Sequence, residues 1–358
     1  MPVRAEARQL GARLLAAFRA EGAAVIETDI LQPAEALLDL YGEDIRARAY
    51  VTADPLRGEM MLRPDFTVPV VQAHMAGGAE PARYAYLGEV FRRQEQPDPE
   101  RPAEYLQAGY EVFDRDTPEE ADAEVFALFA RLLAPMGLTA TIGDIGVLRA
   151  AVDGLDTLAP RKAALMRHIW RPHRFHALLE RYSGLAPMTD ARRALLDGAR
   201  PEAPWIGLRS PAEMEARIAT LAQDAKAPPI PAPIVERLDA LFALRCPAAE
   251  APARLTGLGL ASLAPAIDRL ERRLAALVSH GIDPARLNFE ASHGRATMEY
   301  YDGFVFTFAA PRPGMPPVAS GGRYDALTRV LGGGREIPAV GGVIRPGVVA
   351  DLGGKLAC

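Results

Sequence analysis

The sequence predicts an α+β fold in which one sheet is assembled from both ends of the chain, with a helical insertion between them. Three observations predict it. β-rich runs bounded by turn residues occupy the chain up to about residue 150, a stretch rich in alanine, leucine and arginine at helical spacing runs from 151 to 285, and β-rich runs return from 286 to 358. Strands, then helices, then strands place the last third of the chain in the same sheet as the first.

The first element is a helix. Leu10, Leu14, Leu15 and Phe18 recur at helical spacing among Arg4, Glu6, Arg8 and Arg13, and Gly22 supplies the stop. Ala24–Thr28 has strand character. Arg48–Ala53 and Glu59–Leu62 flank Asp54-Pro55-Leu56-Arg57-Gly58, whose turn chemistry predicts a hairpin. Thr67–His74 reads as a short helix. Tyr84–Arg92 and Glu104–Phe113 predict an antiparallel pair, with the charged, proline-bearing stretch Gln94–Pro102 as a mobile ligand cover. Thr117-Pro118-Glu119-Glu120 has the pattern of a capping box, and Val125, Leu128, Phe129 and Leu132 continue it as a long helix.

The middle of the chain is helical in composition. Ser210-Pro211-Ala212-Glu213 offers a second capping box, and Ile267, Leu270, Leu274 and Leu277 form an apolar stripe ending before Gly281. Pro228–Pro233 reads as a linker inside this region. Strand chemistry resumes in Leu287–Glu290, Met298–Tyr301 and Phe304–Phe308, followed by glycine clusters at 321–322, 332–334 and 341–342.

Composition narrows the function classes. A chain of 358 residues fits two domains or one large domain with an insertion, and 49% hydrophobic with 24% charged side chains excludes a disordered chain. The net charge of −5 gives no broad basic surface, so no nucleic-acid partner is expected. Cys246 and Cys358 belong to no CxxC pair, which excludes a zinc knuckle or a disulfide framework and fits a reducing cytoplasm. No run approaches the ~18 apolar residues of a membrane helix, so no membrane partner is expected.

Cofactor motifs are weak. Gly257-Leu258-Gly259 lacks the third glycine and the preceding strand of a dinucleotide loop, leaving a turn into a helix, and no P-loop is present. His173, His176 and Glu180 share a helical face, but no further ligand accompanies them, so neither metal nor cofactor is expected. Three segments resist a bland reading. Leu62–Thr67 puts Asp65 and Thr67 at the start of a helix, where the alternative role of the carboxylate is capping. On the strand Glu104–Phe113, period two puts Tyr105, Gln107, Gly109 and Glu111 on one face, and buried polar groups there need partners. Glu299–Phe306 together with Ser320–Asp325 gives a hairpin and a helix start, with glycines that permit close approach of a ligand.

In this order the segments resemble the catalytic core of histidyl-tRNA synthetase, a class II aminoacyl-tRNA synthetase. Leu62–Thr67 resembles that family's LRPEGT, Gly88–Gln94 its motif 2 strand, Glu299–Phe306 and Gly321–Asp325 its two histidine-recognition segments, and Pro338–Gly342 the opening of its motif 3. The resemblance implies a six-stranded antiparallel sheet flanked by helices, and a dimer made through the N-terminal helix and the Pro33 region. It divides the chain into the N-terminal part of the core (1–150), a helical insertion (151–285) and the C-terminal part of the core (286–358), with no anticodon-binding domain. It also assigns roles: Asp65, Thr67, Gln107 and Glu111 fall on positions that hold the ammonium and imidazole of histidine, and Tyr301 and Tyr324 on positions that contact the ring. Arg92 and Arg323 are candidate anion contacts.

The departures from the synthetase pattern concern positive charge. Ala296 stands where the arginine preceding EYYDG is expected, with Arg295 one register off; Val348 stands at the arginine of motif 3, and Ala103 at the second arginine of the motif 2 loop. Amino-acid adenylation accumulates negative charge on phosphate, and each lost cation costs about 2–4 kcal/mol in the transition state by analogy with an oxyanion donor. The profile is similar to that of the non-catalytic paralogues that serve as regulatory subunits of ATP phosphoribosyltransferase. That resemblance implies a short-form catalytic subunit as partner, commonly in a hetero-octamer, and feedback inhibition by histidine. The alternatives are a divergent histidyl-tRNA synthetase or other amino-acid-adenylating enzyme, and an adaptor with a vestigial pocket.

Overall fold

The computed structural model describes residues 4–41, 48–94, 98, 101–200, 207–295 and 300–358. Its strands are β1 (Ala24–Val25), β2 (Leu31–Pro33), β3 (Val51–Asp54), β4 (Gly58–Leu62), β5 (Ala82–Phe91), β6 (Glu104–Phe113), β7 (Thr139–Asp144), β8 (Arg245–Pro247), β9 (Asn288–Glu290), β10 (Phe304–Ala309), β11 (Ala319–Arg323) and β12 (Ala339–Ile344).

Among the described residues, nine of these strands form one mixed sheet in the order β1-β5-β6-β12-β11-β10-β7-β9-β8. Its centre, from β5 through β7, is six strands paired antiparallel throughout. β1 extends one edge in parallel, and β9 extends the other in parallel before β8 closes it. The N-terminal and C-terminal thirds therefore share one sheet, because β12 inserts its ladder between β6 and β11. The hairpin β3–β4 forms as expected, its turn closed by the Asp54 carboxylate accepting from the backbone N–H of Leu56 (2.8 Å) and Arg57 (2.9 Å). It belongs to a separate three-stranded sheet with β2.

The two faces of the large sheet differ in chemistry. Tyr110 of β6 meets Phe18 of the helix Arg4–Ala20 at 5.5 Å, and Phe306 of β10 meets Phe129 of the helix Pro118–Leu133 at 5.7 Å. All four rings are buried, and each such side chain stabilises by about 1.5–3 kcal/mol. Gln107, Gly109 and Glu111 alternate with Tyr110, so they project from the opposite face.

The helix Ala264–Ser279 lies on the helix Pro118–Leu133 and ties the middle of the chain to the sheet. Arg273 donates Nε to Asp122 (2.7 Å) and Nη1 to Asp144 (2.8 Å), and Arg323 donates Nη2 to Asp122 (2.7 Å). All four charges are buried and mutually paired, which is the condition for keeping charge out of water.

Several expectations change in the structure. Only Ala24 and Val25 of Ala24–Thr28 are in a strand, because Arg63 captures the Thr28 carbonyl (2.6 Å) and the chain turns into β2. The strand expected from Arg48 starts at Val51. The long helix Pro118–Leu133 forms, but Thr117 makes no capping bond; its hydroxyl turns back to the Asp114 carboxylate (3.4 Å), which also takes the backbone N–H of Asp116 (2.9 Å) and Thr117 (3.1 Å) and closes the turn before the helix. At Ser210 both halves of the capping box are present. Pro228–Pro233 is not a free linker: Ile230 is buried and donates to the Tyr182 carbonyl (2.9 Å), and a helix starts at Ala232. Most of the expected cover Gln94–Pro102 and residues 296–299 of the expected strand Met298–Tyr301 lie outside the described residues, and Tyr300 and Tyr301 are not in a strand.

Candidate functional site

The site begins with register. Tyr86 of β5 pairs with Gly109 of β6, and Glu111 pairs on its other side with Gly341 of β12. A Cβ at Gly109 would lie 2.0 Å from the Tyr86 ring, and one at Gly341 would lie 1.4 Å from Glu111 Oε2. The two glycines are the space in which the two side chains lie.

Glu111 is the centre. Its Oε1 accepts from Tyr86 Oη (2.9 Å) and Thr67 Oγ1 (3.4 Å), and its Oε2 accepts from Tyr324 Oη (2.7 Å). Burial pushes its pKa up to about 7; the three hydroxyl donors pull the other way, and nearby Asp65 adds to the rise. Tyr300 donates to Thr67 (3.3 Å), and Tyr301 packs where a Cβ on Gly322 would meet its ring at 2.9 Å. Burial raises the Tyr301 phenol, and the charges of Glu111 and Asp65 raise it further, so it remains a neutral donor.

The loop before the helix Thr67–Met75 is pinned from outside. Arg63 donates Nε to the Glu89 carbonyl (2.8 Å) and lies 4.0 Å over the Phe66 ring, which stacks on Tyr86 at 4.2 Å. Asp65 accepts from Val68 N–H at 3.5 Å, a long bond for a capping role. Gln107 is only 1% exposed, and its Oε1 has no hydrogen-bond partner. A buried acceptor left unmade costs about 1–3 kcal/mol, and a ligand donor removes that cost.

The structure therefore brings Asp65, Thr67, Glu111, Tyr301 and Tyr324 into one buried group, with Gln107 on the same face of β6. Arg323 is not among them; its guanidinium is consumed by Asp122 and Asp325 (3.0 Å). Arg92 stands at the end of β5, with Nε on the Pro64 carbonyl (2.9 Å) just before Asp65. Tyr86, Tyr300 and Arg63 join the site although sequence reasoning did not single them out. For Tyr86 the deciding feature is its register across from Gly109, which its own segment does not announce. His173 and His176 hold no metal cluster: no group of three or more His, Cys, Asp or Glu suited to a metal exists among the described residues.

Against known proteins, a sequence model of the histidyl-tRNA synthetase family matches residues 2–199 and 213–347. Two curated relatives named ATP phosphoribosyltransferase regulatory subunit match almost end to end. The one from Allorhizobium ampelinum is 34% identical over 353 residues, covering 92% of this chain and 93% of its own length; that from Agrobacterium fabrum is 33% identical over 359 residues, covering 93% and 94%. The chain belongs to the histidyl-tRNA synthetase-like family of ATP phosphoribosyltransferase regulatory subunits.

Solved structures agree on the fold. A Bacillus halodurans structure described as an ATP phosphoribosyltransferase regulatory subunit/histidyl-tRNA synthetase aligns with TM-score 0.68 at 23% identity, over 98% of this chain and 79% of that one. A Nostoc histidyl-tRNA synthetase aligns with TM-score 0.63 at 17% identity, over 97% and 72%. The regulatory-subunit sheet is thus the class II synthetase sheet.

In this regulatory-subunit chain the positions of altered charge are also visible. Ala103 sits opposite Arg92, whose backbone N–H donates to its carbonyl (2.7 Å), and contributes no charge. Val348 is an apolar helix residue, buried. Arg345 turns back along β11, donating to the Pro317 carbonyl (2.8 Å) and Ser320 Oγ (3.1 Å); burial lowers its pKa, and Arg92 adds to the fall. Arg295 is directed elsewhere, with Nε on the Ile169 carbonyl (2.7 Å). Ala296 lies outside the described residues.

Proposed function

We propose that the chain is the non-catalytic regulatory subunit of ATP phosphoribosyltransferase in the first step of histidine biosynthesis. It assembles with a short-form catalytic subunit, is required for that subunit's transfer of phosphoribosyl from phosphoribosyl pyrophosphate to ATP, and confers feedback inhibition by histidine. The observation that carries this reading is the buried polar group around Glu111, with Gln107 Oε1 left open in it. Carboxylates suit an ammonium; phenols and an amide suit a neutral imidazole, which has one donor and one acceptor. Arg92 and Arg345 supply charge for a carboxylate on the same side of the sheet.

Holding histidine is separated from activating it by the altered cations. Apolar Val348 and Ala103, and Arg295 turned to another part of the molecule, leave less positive charge for a phosphate in an adenylation transition state. Inhibition requires only that histidine bind one state of the assembly better than another, and a coupling of about 1–3 kcal/mol suffices. By reciprocity, if histidine weakens substrate binding, the substrates must weaken histidine binding equally.

The test is reconstitution. Adding the purified chain to a short catalytic subunit is expected to raise phosphoribosyl transfer and to make it sensitive to histidine. No stimulation refutes the reading. So does histidine-dependent exchange of pyrophosphate into ATP by the chain alone, which would make it an adenylating enzyme.

A further inference from the structure

Away from the Glu111 group, a cavity of about 300 Å³ opens in the helical region between the helices Pro172–Ser183 and Ala232–Ala243. Phe175 and Phe242 form an apolar wall, meeting edge to face at 5.0 Å, while His173 and His176 line the cavity from the first helix and Asp239 from the second. Between these groups comes Arg295.

Arg295 is an unusual wall. The residue is only 7% exposed, and its guanidinium carbon lies 4.6 Å from the Phe242 ring centre and 5.2 Å from that of Phe175. Nε is satisfied by the Ile169 carbonyl, but the buried Nη2 has no hydrogen-bond partner. Burial lowers its pKa only to about 10, so the group stays cationic at neutral pH. Asp239 is half exposed and lies 4.0 Å from His176, which also meets Glu180 at 3.4 Å; among the described residues no carboxylate pairs with Arg295. A buried guanidinium with an unpartnered N–H, stacked on aromatic rings in the wall of a cavity, lacks an acceptor.

We infer that this cavity is a second ligand site, which takes a small oxyanion, a carboxylate or a phosphate, with its oxygens drawn to the Arg295 guanidinium and the amino end of the helix Pro172–Ser183. The 12-residue helix starts at Pro172, which lines the cavity with His173, so the positive end of its dipole lies at this wall and adds to the attraction for negative charge. The phenylalanine wall accommodates an apolar body on the same ligand. Arg295 stands next to the position where a synthetase would place an arginine in its amino-acid pocket, so this site uses a charge that the Glu111 group does not.

The test uses the full chain and two probes, sodium benzoate for the carboxylate and inorganic phosphate for the phosphate, each against chloride at matched ionic strength. At least one probe is expected to raise the thermal midpoint beyond chloride, and the probe that does so identifies the oxyanion. Arg295→Met is expected to abolish that shift. Because loss of Arg295 also disturbs its aromatic stack, His173→Trp at the exposed rim serves as a second variant that fills the cavity. Histidine binding at the Glu111 group should be unchanged in His173→Trp. The inference is overturned if neither probe exceeds chloride on the native chain, or if the shift survives in His173→Trp.

Discussion

Gly341 and Glu111 face each other across β12 and β6, and a methyl group on the glycine would stand 1.4 Å from the carboxylate oxygen. The hydrogen at this position is what allows a carboxylate to lie flat against a neighbouring strand and reach two tyrosines. The Gly341→Ala variant should therefore displace Glu111 and lose histidine binding. Overpacking costs about 1–3 kcal/mol. Calorimetric titration of histidine and denaturant unfolding check both outcomes; a variant that binds histidine normally contradicts them.

Stability should depend on pH through Glu111. Its pKa in the folded chain lies near 7, above the ordinary 4.5, because burial penalises the charged form. The native state then holds a proton that the unfolded chain has released. Its contribution is complete below pH 4.5 and lost as pH rises toward 7. Glu111→Gln removes this dependence, so the difference in unfolding free energy between variant and parent should grow with pH across that window. A constant difference would contradict the account.

The buried charges at Arg273 offer a second stability test. Replacing Arg273 by methionine leaves Asp122 and Asp144 short of one shared partner, while Arg323 still holds Asp122. Breaking a buried pair from one side costs about 3–5 kcal/mol. Urea denaturation should show this loss; a change within about 0.5 kcal/mol, the range of ordinary surface substitutions, would contradict it.

The two capping patterns should separate cleanly. Ser210→Ala removes a bond to Glu213 N–H (3.3 Å) and should cost about 1 kcal/mol. Thr117→Ala should cost little, since its hydroxyl takes no N–H of the first helical turn and makes only a long bond to Asp114 (3.4 Å). Equal losses in thermal or chemical unfolding would contradict the assignment.

Much of this architecture was legible in the sequence, for identifiable reasons. Period two on Glu104–Phe113 placed Gln107 and Glu111 together, and turn residues located β3–β4 and β5–β6. At the edges of the sheet, strand character located β1 and β9 but not β8, and the pairing of all three was not legible, because each is two or three residues long and pairs with partners distant in sequence. Thr117 shows a local motif losing to a neighbour, since nothing in its four residues announces that its hydroxyl is drawn back to Asp114. Arg323 carried a ligand-like motif, but its partner Asp122 lies 201 residues away. Tyr86 was hidden because its role depends on register with Gly109 rather than on its own surroundings in sequence.

The central claim is that a buried polar group is kept open for histidine, and Gln107→Leu tests it most directly by calorimetric titration of histidine. Leucine has similar volume and brings no acceptor, so the unliganded chain should be as stable as the parent or more so, by up to the ~1–3 kcal/mol of an unmade bond, while histidine binding is lost. Histidine binding of parental strength in Gln107→Leu, or none in the parent chain, would contradict the account.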